Sequence, residues 1–434
     1  PTTRRYLFAI LYAVGVMIVV LRTVFLRNGI LHINDLSYLA SRKQFAGFYM
    51  WDRLAQDQVI INHLVFDPWL AFFDAAVAQR ISLALLFFLL PFISFVGFRG
   101  LLDRHVDRYV TVSALLGSLL YTFNPIVVVR ARHYFLIWYY AFLPILFLYA
   151  VKVSSDERLV NRTSRSTHSM VSLATSPARE STRSTSVKIA VVLFLMSGSI
   201  RMPFYFLVPL FAVLAHASAP YGWYFWNQAR RWVPVFGLYT LLTAVWSYPY
   251  LMRTINGSSP TPAGNRYLVT DHVLSLLSRN ADLINVVLLR SYWANWLYER
   301  IFGMESRAVV LAWESSVIVI VGLTILGASL YLRRKREVLA VSSLLVVTIF
   351  LAKGTNPPFP DFYRWFVFDS PLAPIGWQFR GSNKWNLLIM FCYATLSLYA
   401  ISWLLRTTSA FARRRDEGSG REAVAVSTVG LILV

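Results

Sequence analysis

Cysteine is nearly absent: Cys392 is the single one in 434 residues, which excludes an internal disulfide and any thiolate metal site. Acids are scarce as well, with 21 Asp and Glu against 42 Lys and Arg, for a formal net charge of +21. The motifs that announce nucleotide or hydrolytic chemistry are missing, since there is no Walker loop, no GxSxG elbow and no HExxH pair. Charge is also sparse inside the apolar segments, where Arg22 and Glu314 are the main exceptions. A proton or ion pathway needs more intramembrane ionisable groups than that, and no internal repeat stands out; both absences argue against an ion-coupled transporter.

What fills the chain is apolar. Hydrophobic residues make up 57% and aromatics 16% of it, and the mean hydropathy is +0.53. That places it among all-α polytopic membrane proteins, because apolar runs long enough to cross a hydrocarbon core of roughly 30 Å recur along its whole length. The positive charge is spread beside these runs rather than gathered in a compact basic domain, so it points to membrane topology and anionic lipid and not to nucleic acid.

The apolar runs place crossings at about 6–26, 81–98, 109–125, 134–151, 188–200, 203–217, 232–252, 308–332, 338–352, 385–405 and from 423 onward. In the stretch 187–217, Gly198, Arg201 and Pro203 interrupt the pattern, and two half-spanning helices fit it as well as two full crossings. One set of connections is short and basic, at Arg4 and Arg5, at Arg99, Arg104 and Arg108, at Arg230 and Arg231, at 333–336 and at 413–415, and faces the cytoplasm by the positive-inside rule. The long loops 27–80, 253–307 and 353–384 carry acids, aromatics, Pro and Gly and are expected outside. The segment 152–188, rich in Ser, Thr and Arg, reads as a flexible cytoplasmic loop. These features predict a single transmembrane domain over 1–434 at the plasma membrane, with a cytoplasmic N-terminus. The chain opens on Pro1 and stops inside the apolar run 423–434, so it is expected to be part of a longer protein.

Three constellations carry chemistry. The first outer loop holds Asp35, Asp52, Asp57, Asp67 and Asp74, and a carboxylate at a membrane surface suits the base that deprotonates an acceptor hydroxyl. Asp35 lies nearest the end of the first crossing, where a lipid head group sits, with Asp52, Asp57 and Asp67 further on; loop aspartates also cap helices. Cations on the outer side form the second set: Arg130, Arg132, His133, Arg201, Arg290, Arg380 and Lys384. Outer loops are ordinarily poor in such residues, and a phosphate leaving group gives them a ligand. Third, Trp51, His63, Trp293 and Trp377 are candidates to hold sugar or acceptor, since aromatic faces suit the C–H faces of sugars, as they also suit an interfacial belt. The segment 273–289 reads as a surface amphipathic helix with Asp271 and Asp282 as further acids. No metal ligand set is apparent, and a divalent cation is neither required nor excluded.

Several short motifs in order resemble a known family. Asn34-Asp35, Met50-Trp51-Asp52, Phe66-Asp67-Pro68, Val77-Ala78-Gln79-Arg80, the run Leu120 to Pro125, Ala352 to Pro358 and Phe379 to Lys384 resemble the arabinofuranosyltransferase D family of GT-C glycosyltransferases, over about residues 1–405. Ser382 stands where that family usually has Pro, and its Asn-Gln-x-Tyr-Gly stretch before Phe66 is not recognisable. The resemblance implies a GT-C-like bundle of about 11 or more transmembrane helices, a polyprenyl-phosphate sugar donor used outside the membrane and a glycan or lipid acceptor. It also implies an inverting single displacement, with Asp35 as base, Asp52 as the second choice, and Arg380 and Lys384 on the donor phosphate. The competing expectation is a non-enzymatic scaffold or lipid-binding subunit of a larger assembly.

Overall fold

The computed structural model describes residues 2–25, 69, 72–102, 109–124, 126–127, 134–155, 177–196, 206–217, 230–244, 270–291, 306–373, 376 and 379–416. All regular structure among them is helical: α1 (Thr2–Phe25), α2 (Ala75–Leu102), α3 (Val110–Thr122), α4 (Tyr134–Ser155), α5 (Pro177–Met196) and α6 (Leu207–Ala217). They are followed by α7 (230–244), α8 (Asp271–Ser278), α9 (Leu283–Val287), α10 (Arg307–Tyr331), α11 (Arg336–Ala352) and α12 (Pro360–Phe368). A 3-10 turn, Ser382–Trp385, leads into α13 (Asn386–Asp416).

Four segments are long and apolar enough to cross a membrane: Ala76–Leu102, Leu136–Ser154, Val310–Tyr331 and Ser382–Ser409. The protein is therefore an all-α membrane protein, with four such spans among the described residues where the sequence led us to expect eleven. Helix length accounts for much of the difference. The eleven residues of α6 reach about 16 Å at 1.5 Å per residue and the twenty of α5 about 30 Å, while Gly198, Arg201 and Pro203, where the two half-spanning helices are expected to meet, lie outside the described residues. Helix α5 begins at Pro177 and α4 continues to Ser155, so both ends of 152–188 are helical rather than loop.

Helix α13 is the centre of the bundle. From Leu387 to Ile401 its apolar side chains are all buried, Cys392 included, against α3, α4, α10 and α11. Helix α10 shows the opposite pattern, burying Trp313, Val317, Ile320 and Thr324 on one stripe while Leu311, Ile318 and Ile325 stay exposed on the other. An exposed stripe that is itself apolar is stable against lipid and not against water. Close approach replaces the hydrophobic effect as the glue of such helices: a Cβ on Gly327 would lie 2.1 Å from the Leu396 carbonyl oxygen, so only glycine lets α10 lie this close to α13. Polar side chains join the helices elsewhere. Ser94 Oγ and Ser118 Oγ lie 2.7 Å apart, each within 3.2 Å of the Pro91 carbonyl oxygen, so one hydroxyl donates to the other and that one to the carbonyl, while Tyr12 reaches Ser118 at 3.1 Å, uniting α1, α2 and α3.

The contacts also fix direction. Gly97 lies against Pro144 and Gly100 against Leu148, so α2 and α4 run parallel. Helix α3 packs against α2 and α13, setting Tyr121 on Phe391 and Gly117 on Leu398, antiparallel to α13. One end of the bundle thereby gathers the basic connections. Arg99 and Lys152 share a cavity, Arg231 donates to the Val153 carbonyl at 3.2 Å, and Arg336 donates to that of Ala215 at 3.0 Å. Lys335 sits over the rings of Tyr331 and Tyr399, and burial, reinforced by Arg406 and opposed by Glu337, pushes it down to about 8. The N-terminal turn of α13 lies at the other end.

Candidate functional site

At that other end four segments meet: the C-terminus of α8, the chain after α11, α12, and the turn 379–386. Gly354, after α11, is where the end of α8 and the turn touch. Its φ of +60° is a left-handed conformation, and a Cβ there would fall 2.1 Å from Ser278 Oγ and 3.0 Å from Ser382 Cβ. Ser278 Oγ accepts from the Thr355 N–H at 3.3 Å, and Asn356 Nδ2 donates to the Ser278 carbonyl at 2.6 Å.

Lys353, buried at 1% exposure, is an internal strut of this junction. Its Nζ donates to the carbonyls of Gly354 and Asn356 at 3.4 and 2.7 Å and lies 4.8 Å from the Phe350 ring centroid. A cation at the C-terminus of α11 also meets the negative end of the helix dipole, which favours the charge that burial disfavours. Burial moves its pKa below the ordinary lysine value.

The turn 379–386 is clasped at both ends. The rings of Phe379 and Trp385 stack at 5.8 Å with 4° between their planes. Tyr363, buried on α12, donates its hydroxyl to the Phe379 carbonyl at 2.6 Å and receives the Trp385 indole N–H at 3.4 Å. Between the clasped residues stand Arg380 and Lys384, both partly exposed. Arg380 has no ion pair or hydrogen bond among the described residues, and burial lowers its pKa from the ordinary arginine value. A guanidinium stays charged through any such shift, so the desolvation is an unrelieved cost that an anion beside it would offset. Inward of it, Ser382 Oγ and Asn386 Oδ1 are buried without a hydrogen-bond partner among the described residues, while Asn386 Nδ2 donates to Ser291 Oγ at 2.6 Å. The arrangement presents two cations and one neutral donor, the Ser382 hydroxyl, in a fixed frame, which suits a phosphate or carboxylate.

The other expected site residues divide into those outside the described residues and those with structural work. Asp35, Asp52, Trp51, His63, Arg130, Arg132, Trp293 and Trp377 lie outside, as do His133 and Arg201. Asp74 accepts from the Val77 N–H at 2.9 Å at the start of α2. Asp282 does the same for Asn285 at the start of α9, and Asp271 is paired with Arg364 at 2.7 Å; both are accounted for as capping and ion pairing rather than as catalytic acids. The expected single helix over 273–289 is two short ones, α8 and α9, whose Leu274 and Val286 are buried in the bundle. Trp385 and Tyr363 are buried core residues, whereas Trp365 stays about half exposed.

Arg290 is withdrawn from the free cations as well. It is ion-paired with Glu314, which explains the one acid inside α10. Arg290→Met is expected to lower stability by about 1–2 kcal/mol, because it leaves Glu314 half-buried and unpaired, and Arg290→Met/Glu314→Gln should recover most of the loss. Thermal melting of the two variants in detergent checks this; equal losses would mean that the pair contributes nothing.

Sequence reasoning missed Ser278, Ser382 and Asn386 as parts of this junction. The available signal was weak: isolated polar residues at the edges of apolar runs. Comparison of the chain with family models, characterised proteins and solved structures yields no match.

Proposed function

We propose that this protein is a GT-C-type membrane glycosyltransferase that moves a sugar from a polyprenyl-phosphate donor to a hydroxyl of a glycan or lipid acceptor. The observation that carries the reading is the clasped turn with its uncompensated Arg380 beside Lys384, at the end of the bundle opposite the basic connections. With that basic end in the cytoplasm, as the positive-inside rule has it, the turn faces the extracytoplasmic side of the plasma membrane. About eleven crossings complete the bundle in this reading.

The reaction assigns a role to each group. Asp35, or failing it Asp52, takes the proton from the acceptor hydroxyl as its oxygen attacks the anomeric carbon. The bond from that carbon to the phosphate oxygen breaks, and polyprenyl phosphate leaves with configuration inverted. Negative charge gathers on the leaving phosphate, where Arg380 and Lys384, joined by Arg130 and Arg132, hold it. Trp51, His63, Trp293 and Trp377 hold the sugar and acceptor rings.

The test is transfer of labelled sugar from a polyprenyl-phosphate donor by the protein in vesicles. Asp35→Asn should slow transfer by about 10²- to 10⁴-fold, the usual contribution of a general base, while donor binding stays within about twofold. Full activity in that variant removes Asp35 from the mechanism. One observation favours a second reading: Phe359, Phe362 and Trp365 on and before α12 are exposed beside the turn, a surface that a partner subunit could cover. Failure of the wild type to bind any polyprenyl-phosphate sugar would favour that scaffold.

A further inference from the structure

At the basic end, the start of α1 and the last turns of α2 and α4 enclose a cavity of about 300 Å³. Its polar wall is made by Arg99, Lys152, Tyr6 and Tyr149, and its apolar wall includes Phe95 and Leu148; none of its lining residues is acidic. Lys152 Nζ stands 5.9 Å from the Tyr149 ring centroid, so the ammonium is set against the wall of the cavity. Beside the opening, Leu7, Ile10 and Leu11 of α1 are exposed apolar residues, a face suited to acyl chains. We propose that this cavity binds the head group of an anionic phospholipid, with its phosphate between Arg99 and Lys152 and its chains along the exposed face of α1.

The size and chemistry agree. A volume of this order is at the lower end for small-molecule sites and accommodates a phosphodiester head group but not a whole lipid. Basic pockets between transmembrane helices are a recurring form of head-group site. The bland account of Arg99 and Lys152 is that they complement two helix C-termini and set topology. That account needs no cavity, and it predicts that filling the cavity with both charges kept leaves anionic-lipid binding unchanged. The proposal is independent of the glycosyl transfer, because it concerns the opposite end of the bundle.

Native mass spectrometry of the full chain in detergent, titrated with phosphatidylglycerol, phosphatidylcholine or inorganic phosphate, tests it. The wild type should bind phosphatidylglycerol in preference to phosphatidylcholine, and Arg99→Gln/Lys152→Gln should weaken phosphatidylglycerol binding about 30-fold, the effect of two basic groups near a lipid phosphate. Val96→Phe keeps both charges and fills the cavity; it should weaken binding as well, which a purely topogenic role does not foresee, and it serves if the double variant does not fold. Equal binding of the two lipids, or undiminished phosphatidylglycerol binding by Val96→Phe, overturns the proposal. Inorganic phosphate that binds as tightly as the lipid would overturn the lipid assignment.

Discussion

Gly354→Val is expected to be the most damaging single substitution at the clasped end of the bundle, lowering stability by about 2–5 kcal/mol. Two effects add. The left-handed backbone at Gly354 costs a residue with a Cβ about 1–2 kcal/mol, more for a β-branched one. The side chain would also drive into Ser278, whose Oγ and Cβ lie 2.1 and 2.8 Å from the new Cβ; a crowded core charges about 1–3 kcal/mol for such overlap. Rotating the Ser278 hydroxyl relieves only the first of these contacts. The milder Gly354→Ala should lose less, and Gly354→Ala/Ser278→Gly should recover the steric share but not the backbone share. A thermal midpoint unchanged by Gly354→Val would mean that the four segments do not meet as tightly as described.

Arg380→Met should have the largest effect on ligand binding, and it should carry a double signature. In the free protein, a partly buried guanidinium without an anion is a desolvation cost, so its replacement by an apolar side chain of similar length is expected to leave the thermal midpoint the same or higher. In the presence of a polyprenyl-phosphate sugar the order reverses. Loss of a charge-assisted hydrogen bond worth about 2–3 kcal/mol weakens binding roughly 30- to 150-fold. Lys384→Met should weaken it less, because an ammonium offers a point charge where a guanidinium offers a planar fork. A midpoint that falls in Arg380→Met, with donor affinity intact, would make Arg380 a structural residue and leave the phosphate role without its main support.

The long helices were legible because their apolar runs are bounded by basic residues. The expected crossings 134–151, 308–332 and 385–405 correspond to α4, α10 and α13, whose ends shift by a few residues or, at the C-terminus of α13, by about three turns. The junction was not legible, for a definite reason. Arg364 meets Asp271 across 93 residues, and Asn386 meets Ser291 across 95. No local periodicity encodes such pairs, so the sequence could nominate Asp271 and Arg290 as functional groups without showing that each already had a partner. Arg380 and Lys384 are the nominated cations that the structure brings together on one turn; the acid half of the candidate site, in 27–68, lies outside the described residues.

The length of α13 has a mechanical consequence. At 1.5 Å per residue, its 31 residues make a rod about 46 Å long, some 16 Å more than the hydrocarbon core. Its first turn belongs to the Arg380 frame, its middle is gripped on several sides, and its far end carries Arg413, Arg414 and Arg415 beyond the apolar span Ser382–Ser409. A rod held in this way cannot shorten or slide by less than a whole packing step. A force applied to its far end therefore reaches the turn as tilt or rotation, which makes those arginines a handle at the opposite end of the bundle.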